Sequence, residues 1–122
     1  GLNAPAPRRQ HTAIWTGSEL VVWGGANATT YFFSGGRYDP ATDSWRPTSE
    51  ANPPTGRRYH TAVWSGSRML VWGGESSGAG ELLATGGAYD PSADTWTEIP
   101  AAGAPSARLT GPASPRRRAF ER

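Results

Sequence analysis

The length, composition and charge of this 122-residue chain exclude several classes of protein. With 36% apolar residues, 16 Gly and 11 Pro, it is rich in turns, which argues against a helix bundle. No apolar run approaches the roughly 18 residues that a membrane helix needs, and the absence of Cys excludes disulfides and thiolate chemistry.

Positive charge is concentrated at the C-terminal end of the chain. All 12 basic residues are Arg. Residues 1–107 hold 7 Arg and 9 acids, a net charge of −2, whereas residues 108–122 hold 5 Arg and 1 acid, a net charge of +4. The basic character therefore belongs to the last 15 residues and not to the rest of the chain.

An internal repeat organises the chain before this basic segment. The stretch "RRQHTAIWTGSELVVWGG", residues 8–25, returns as "RRYHTAVWSGSRMLVWGG", residues 57–74, with 12 of 18 positions identical. The spacing between the copies is 49 residues up to this point and 51 from Gly35 and Gly86 onward, so the second copy has gained two residues in a loop. A period near 50 is typical of propellers and solenoids.

Each copy divides into four short predicted strands. In chain order these are residues 11–15, 20–25, 36–39 and 44–48, then 60–64, 69–74, 87–90 and 95–99. A Gly turn joins the first two strands of each copy, and an Asp-Pro turn joins the last two. The second strand is apolar almost throughout, which predicts burial of both its faces. The loops 26–35 and 75–86 differ in length, and we expect them to be the most mobile and exposed segments of the repeated region.

Three features recur at fixed spacing in both copies: a Gly-Gly doublet after the second strand, a Tyr before Asp-Pro, and a Trp about six residues after that Asp. They are Gly24-Gly25, Tyr38 and Trp45 in the first copy and Gly73-Gly74, Tyr89 and Trp96 in the second. The arrangement resembles the kelch repeat, and the sequence "HTAVW…VWGG" is similar to the bacterial form of that repeat. The resemblance covers residues 7–100 as two units.

This resemblance implies an all-β fold of two four-stranded antiparallel blades, a partial β-propeller with the first strand of each blade innermost. We expect blade 1 with its leading loop over residues 1–56 and blade 2 over residues 57–104. Residues 105–122 would form a disordered basic tail or the truncated start of a third repeat.

The aromatic residues of the repeat are predicted to form the core. We expect Trp15, Trp23, Trp64 and Trp72 to be largely buried, with at least one Trp of each unit in the seam between the blades. A buried Tyr hydroxyl, as expected for Tyr38 and Tyr89, must find a hydrogen-bond partner.

No catalytic or metal-binding constellation is recognisable. His11 and His60 recur because the repeat recurs, and neither has a second His or a carboxylate beside it, which favours a structural hydrogen-bonding role over metal binding. Residues 90–96 lack the Gly of the sialidase Asp box, and the Cys-linked Tyr of kelch-type copper oxidases is excluded because there is no Cys. We therefore predict no cofactor, no metal and no enzymatic activity, with a part of a kelch-type carbohydrate-active enzyme as an alternative.

Paired arginines precede the innermost strand of each copy, in the lead-in segments 8–10 and 57–59. Guanidinium groups repeated in adjacent loops suit carboxylates or phosphates, although one Arg of each pair bracing the neighbouring blade is a competing interpretation. Aromatic residues in the loop "TTYFFSG" form a second candidate patch. The candidate ligand-binding residues are Arg9, Gln10, Tyr31, Phe32, Phe33, Arg58 and Tyr59.

Two functions remain open at this point. The first is a non-catalytic kelch-repeat module that binds a protein or another ligand and belongs to a larger propeller. The second is polyanion or nucleic-acid binding through the Arg-rich segment 108–122, although that segment also has the composition of out-of-frame sequence from a GC-rich gene.

The partners and the location follow from the same considerations. We expect an unidentified protein or carbohydrate ligand, no membrane, and self-association or the missing blades of a parent chain, because two blades leave two apolar faces uncovered. Nucleic acid is not favoured as a partner. The resemblance slightly favours an extracellular or periplasmic location, although no basic-then-apolar leader follows Gly1.

Overall fold

The computed structural model describes residues 4–76 and 82–100, and within them it contains eight β-strands and no helix. The strands are β1 (Thr12–Trp15), β2 (Leu20–Trp23), β3 (Gly35–Asp39), β4 (Ser44–Pro47), β5 (Thr61–Trp64), β6 (Met69–Trp72), β7 (Gly86–Asp90) and β8 (Thr95–Glu98). They form two four-stranded antiparallel sheets, in the orders β1-β2-β3-β4 and β5-β6-β7-β8. The predicted all-β fold of two blades is confirmed.

These sheets are called blade 1 and blade 2, and they lie within the ranges 1–56 and 57–104. The part of the chain expected to form a tail or a third repeat, 105–122, falls outside the described residues. In the described part, no helix is long and apolar enough to cross a membrane.

The two blades have the same register, because the same residues face each other in both. Trp23 on β2 lies opposite Thr12 and Gly35, and Trp72 on β6 lies opposite Thr61 and Gly86. Val21, Val22 and Trp23 are buried, as the apolar pattern of the second strand predicted.

Side chains alternate along each strand, so each blade has two faces. We call the face of each blade on the side of the preceding blade in the stack its leading face and the opposite one its trailing face. The trailing face of blade 1 packs against the leading face of blade 2, and together they form the core, here called the seam. Blade 1 supplies Ile14, Val21 and Trp23, and blade 2 supplies Ala62, Trp64, Met69, Val71, Tyr89 and Trp96. The ring centroids of Trp23 and Trp96 are 5.2 Å apart, so both units do contribute a Trp to the seam.

The expectation that all four tryptophans of the first two strands are largely buried is only partly correct. Trp23 is fully buried and Trp72 is 3% exposed, but Trp64 is only half-buried and Trp15 is 52% exposed. Trp15 belongs to the leading face of blade 1, which no strand of the described chain covers. Its exposure therefore follows from its position in the stack and not from its place in the repeat.

The loop between β2 and β3 is exposed at its tip and at Phe33. Residues 27–30 are exposed, and the Asn27 side chain holds their turn by accepting hydrogen bonds from the Thr29 and Thr30 amides at 2.9 and 2.8 Å. Ala26 is only 2% exposed because its backbone pairs with Arg9 and with Tyr31. In the corresponding loop of blade 2, residues 77–81 are outside the described part, and the expected mobility of both loops remains a prediction.

His60 locks the two blades together across the seam. Its Nε2 lies 2.8 Å from Thr12 Oγ1 and 3.2 Å from the Trp23 carbonyl oxygen, and its ring meets the Trp23 indole edge-on. A carbonyl only accepts, so Nε2 carries the proton and donates it. Gly24 has a φ of +75°, and a Cβ there would lie 2.5 Å from His60 Cε1. The first Gly of the doublet is therefore required by the His of the next blade.

Substitution of Gly24 by Ala tests this contact. Gly17 also has a positive φ, +107°, but a Cβ there would meet nothing within 4 Å, so Gly17→Ala reports backbone strain alone. We expect Gly24→Ala to lower the free energy of unfolding by about 1–3 kcal/mol more than Gly17→Ala does, because it adds overpacking to strain. Denaturant melts measure both.

The same pair of glycines is then compared in a His60→Ala background. Removing the imidazole removes the overpacking, so the difference between the two Gly→Ala substitutions should shrink there. An unchanged difference in that background would show that His60 does not explain Gly24.

Candidate ligand-binding surface

Six of the seven predicted ligand-binding residues lie together at one end of the blades. The lead-in segments pair through their backbones with the loops after β2 and β6, Arg9 with Ala26 and Arg58 with Glu75. The two segments also meet each other, because the Tyr59 amide donates to the Gln10 carbonyl at 3.4 Å. We call this end the loop-end surface, formed by segments 8–10 and 57–59 and loops 26–34, 75–76 and 82–85.

The first Arg of each lead-in segment is structural. The buried Arg57 guanidinium donates to the carbonyls of Thr55, Gly73 and Thr85 at 2.9, 3.0 and 2.7 Å and to Thr85 Oγ1 at 2.9 Å. Burial lowers the pKa of Arg57 to about 10, which leaves it protonated at neutral pH. In blade 1, Arg8 binds the carbonyls of Ala6, Gly24 and Ser34 in the same way, and burial lowers its pKa as well.

The side chains of Arg8 and Arg57 therefore brace their own blade and not the neighbouring one, whereas Arg58 of blade 2 lies over the Tyr31 ring of blade 1. Each guanidinium lies between the end of the second strand and the start of the third strand of its own blade, where it binds the carbonyl groups of both. The Arg57 backbone does cross the seam, since its carbonyl accepts from the Gly25 amide at 2.7 Å and its amide donates to the Phe32 carbonyl at 3.2 Å.

The second Arg of each segment differs between the copies. Arg58 Nε donates to Glu75 Oε1 at 2.7 Å, and its Cζ lies 5.2 Å from the Tyr31 ring centroid and 5.0 Å from that of Tyr59. The hydrogen bond to Glu75 raises the pKa of Arg58. Blade 1 has Ala26 in the place of Glu75, and the exposed Arg9 guanidinium has no hydrogen-bond or ion-pair partner in residues 4–76 and 82–100. The loop-end surface thus combines one fixed and one free guanidinium.

Gln10 and Tyr59 occupy the same strained backbone conformation. Their φ angles are +56° and +60°, in the left-handed region that side chains other than Gly adopt at a cost. Tyr59 is 38% exposed, while Gln10 Oε1 is buried and makes no hydrogen bond within the described chain. Both residues share this backbone conformation directly after the arginines of their lead-in segments.

The loop aromatics are less exposed than their sequence context suggested. Tyr31 and Phe32 are half-buried because the guanidiniums of Arg58 and Arg8 lie over their rings, the latter at 4.0 Å. Phe33 is 46% exposed and is the one predicted residue for which we find no contact with the others. The counterparts of Tyr31 and Phe32 in blade 2 are Leu82 and Leu83. The Leu83 amide donates to the Gly74 carbonyl as the Phe32 amide donates to the Gly25 carbonyl.

His11 and His60 differ in burial, because blade 1 covers His60 and no described strand covers His11. His11 is exposed, whereas His60 is 3% exposed and hydrogen-bonded in the seam. Burial, with a smaller contribution from the Arg57 charge, lowers the pKa of His60 to about 3. Within the described ranges, no three or more His, Asp or Glu side chains are grouped so as to hold a metal ion.

The seam should consequently be sensitive to acid. Because the pKa of His60 is about 3 in the folded protein and 6.5 in the unfolded chain, the unfolded state takes up a proton that the folded state refuses between these values. The free energy of unfolding should then fall as the pH falls from 6.5 toward 3, by up to about 1.4 kcal/mol per pH unit. Urea melts between pH 7 and 4 should show a shallower pH dependence for His60→Gln than for wild type. An equal change of slope in the exposed control His11→Gln would contradict the assignment.

An Arg that the repeat did not reveal crosses the seam at the opposite end of the blades, here called the turn end. The buried Arg37 donates to the Pro91 carbonyl at 3.2 Å and lies 3.8 Å from Asp94 Oδ1. That oxygen also accepts from the Ser49 amide at 2.9 Å and from the Tyr89 hydroxyl. The counterpart of Arg37 in blade 2 is Ala88, so the comparison of the copies gave no signal for it.

A polar groove of about 970 Å³ lies between the blades at this turn end. Its three arginines are paired with acids: Arg46 with Glu19 at 2.6 Å, Arg68 with Asp90 at 3.7 Å, and Arg37 with Asp94. The groove therefore offers no free cation, in contrast to Arg9 at the loop end.

Two stacked four-stranded antiparallel blades, with a Gly-Gly doublet that receives the His of the next blade, define this chain as part of a β-propeller. The family described as the KLHDC2/KLHL20/DRC7 Kelch-repeats domain matches residues 2–116. The chain belongs to the kelch-repeat family, and that membership supports a role of the protein-interaction kind. No curated protein matches the chain.

The different roles of the paired arginines lead to a direct test. Arg57→Gln leaves the Gly73 and Thr85 carbonyls without their donor, and we expect it to lower the free energy of unfolding by about 2–4 kcal/mol. Arg9→Gln makes the same chemical change at an exposed side chain without a partner in the described chain and should stay within about 0.5 kcal/mol of wild type. Chemical denaturation measures both, and similar losses in the two variants would contradict the structural role of Arg57.

Proposed function

We propose that the chain is a non-catalytic protein-interaction module that binds an acidic segment of a partner protein at the loop-end surface. The observation that carries this proposal is the exposed guanidinium of Arg9, which has no partner in the described chain, beside an Arg58 that is already fixed. An exposed cation without a partner in the described chain is the natural counterpart of a carboxylate from another molecule.

The distribution of charge over the described residues supports an acidic partner. At the loop end, Arg8, Arg9, Arg57 and Arg58 accompany Glu75 and Glu98, the latter lining a cavity with Arg57, which gives a net charge of +2. At the turn end, three Arg accompany five acids, a net charge of −2; these acids are Glu19, Asp39, Asp43, Asp90 and Asp94. Among the described residues, the positive charge at the loop end favours the approach of a negatively charged segment there.

Preorganisation is a second supporting feature. Arg58 is held by Glu75 and flanked by the rings of Tyr31 and Tyr59, so its ordering costs no further side-chain entropy when a partner binds. Tyr and Arg are also the side chains that contribute most to protein–protein affinity. The exposed ring of Phe33 adds apolar area at the same end of blade 1.

Carbohydrate hydrolysis finds less support on this surface. Glycoside hydrolysis uses two carboxyl groups that flank the scissile bond. Among the described residues of the loop-end surface, Glu75 is the one carboxylate, and Arg58 binds it. A role in binding is accordingly preferred to a role in catalysis.

Titration with short labelled poly-L-glutamate tests the proposal, with poly-L-lysine as the probe of opposite charge. We expect Arg9→Gln to weaken poly-L-glutamate binding about five- to tenfold, which corresponds to roughly 1–1.4 kcal/mol. The matched control is Arg46→Gln, which removes one exposed charge at the turn end and should leave the affinity unchanged. Equal effects of the two variants would indicate general charge attraction and refute a site at the loop end.

The same assay separates the polyanion alternative, which the net charge of +4 in residues 108–122 motivates. Changing Arg116, Arg117 and Arg118 to Gln in the full chain should leave poly-L-glutamate binding dependent on Arg9. If this triple variant loses binding to poly-L-glutamate and to DNA with a steep salt dependence, while Arg9→Gln does not, the C-terminal segment is the site.

A further inference from the structure

The exposed tip of the loop between β2 and β3 carries the sequence Asn27-Ala28-Thr29, which fits the pattern Asn-X-Ser/Thr with X other than Pro. That pattern is the acceptor sequence of N-linked glycosylation. We propose that Asn27 is an acceptor site for N-linked glycosylation in the folded chain. This modification does not depend on the binding function proposed for the loop-end surface.

Asn27 is the one asparagine of the whole sequence that meets this pattern. The other two, Asn3 and Asn52, have Pro two residues later in place of Ser or Thr. The corresponding loop of blade 2, residues 75–86, contains no Asn, and blade 2 nevertheless forms the same four strands. The blade itself therefore does not require Asn at this place.

The pattern lies where a transferase can reach it. Residues 27–30 are all exposed, whereas Ala26 directly before them is buried and pairs with Arg9 and Tyr31. The tip is closed by local bonds such as the one from the Asn27 amide to the Thr30 carbonyl, at 3.0 Å. Because these bonds join exposed residues close in sequence, the tip can open while the paired base of the loop stays in place.

The hydrogen bonds of the Asn27 side chain leave its nitrogen free. Oδ1 accepts from the Thr29 and Thr30 amides at 2.9 and 2.8 Å and from Thr29 Oγ1 at 3.3 Å. Because a backbone amide only donates, the atom that faces both amides must be the oxygen, which identifies the other one as Nδ2. Nδ2 makes no hydrogen bond to residues 4–76 or 82–100. The Asn amide and the hydroxyl two residues later, which define the acceptor pattern, thus lie side by side.

The donor for this reaction is a sugar joined through its C1 atom to a diphosphate, which is either a lipid-linked oligosaccharide or a nucleotide sugar. The bond between C1 and Asn27 Nδ2 forms as the bond between C1 and the diphosphate oxygen breaks. The diphosphate leaves with the electron pair, and a base of the transferase takes one proton from Nδ2. The chain itself supplies the acceptor nitrogen and the Thr29 hydroxyl.

Two purified transferases test the site on the folded full chain: an oligosaccharyltransferase with a lipid-linked oligosaccharide, and a soluble N-glucosyltransferase with UDP-glucose. Tandem mass spectrometry should find one glycan per chain, on Asn27. Asn27→Gln and Thr29→Ala should abolish it, and Thr29→Ser should retain it at a lower rate. The matched control Thr30→Ala removes a hydroxyl from the same tip but outside the pattern and should be modified like wild type. Transfer by one enzyme alone identifies the class of donor, and transfer by neither overturns the site.

A peptide of residues 24–33 serves as the reference acceptor, because it has no fold to hold the tip closed. Since the tip opens locally, the folded chain should be modified at no less than about one tenth of the rate of the peptide. A lower rate, or the same glycan on the Asn27→Gln chain, overturns the site. The glycan is measured by mass, so none of these results bears on poly-L-glutamate binding at Arg9, and the two proposals fail independently.

Discussion

The packing of one blade against the next is the interaction on which the rest of this structure depends. A four-stranded sheet has two faces, and a small sheet becomes stable when another element covers the apolar residues of a face. In this chain the neighbour brings a Trp–Trp contact and a His that reaches the Trp23 carbonyl, and the Gly24 backbone leaves the space for that His. Blade formation and blade stacking are therefore energetically coupled.

The same coupling explains why equivalent residues have different chemical properties. His11 and His60 stand at the same position of the repeat, yet only His60 is desolvated in the seam, and its pKa falls to about 3. Tyr38 and Tyr89 both donate to an Asp, and the pKa of each rises, chiefly through the hydrogen bond in Tyr38 and through burial in Tyr89. The stack, and not the repeat, determines the environment of each side chain.

The fold could be predicted from the sequence because the pattern of one blade occurs twice in the chain. The four strands and the turns of each blade follow from the spacing of the Gly doublets, the Tyr and the Trp, and the burial of β2 and β6 follows from their apolar residues. The exposure of Trp15 was not predictable in this way, since it depends on which face of blade 1 is left uncovered. The structure brings Arg9, Gln10, Arg58 and Tyr59 into one region, because equivalent segments of adjacent blades lie side by side.

The repeat does not reveal that residues of the same type have different roles. Arg8 and Arg57 occupy equivalent positions of the two copies, and both donate their hydrogen bonds to backbone carbonyls of their own blades. Arg9 and Arg58 are also identical, and it is the residue opposite them, Ala26 or Glu75, that decides whether the guanidinium is free or fixed.

The same reasoning applies at the turn end, where Arg37 crosses the seam and its counterpart Ala88 does not. Many positions that are the same in the two copies, such as the first Arg of each lead-in segment, satisfy requirements that both blades share. Positions that differ are free of those requirements, so selection for a partner can act on them. In this chain the unmatched residues Ala26 and Glu75 determine which guanidinium of the loop-end surface is available to a partner.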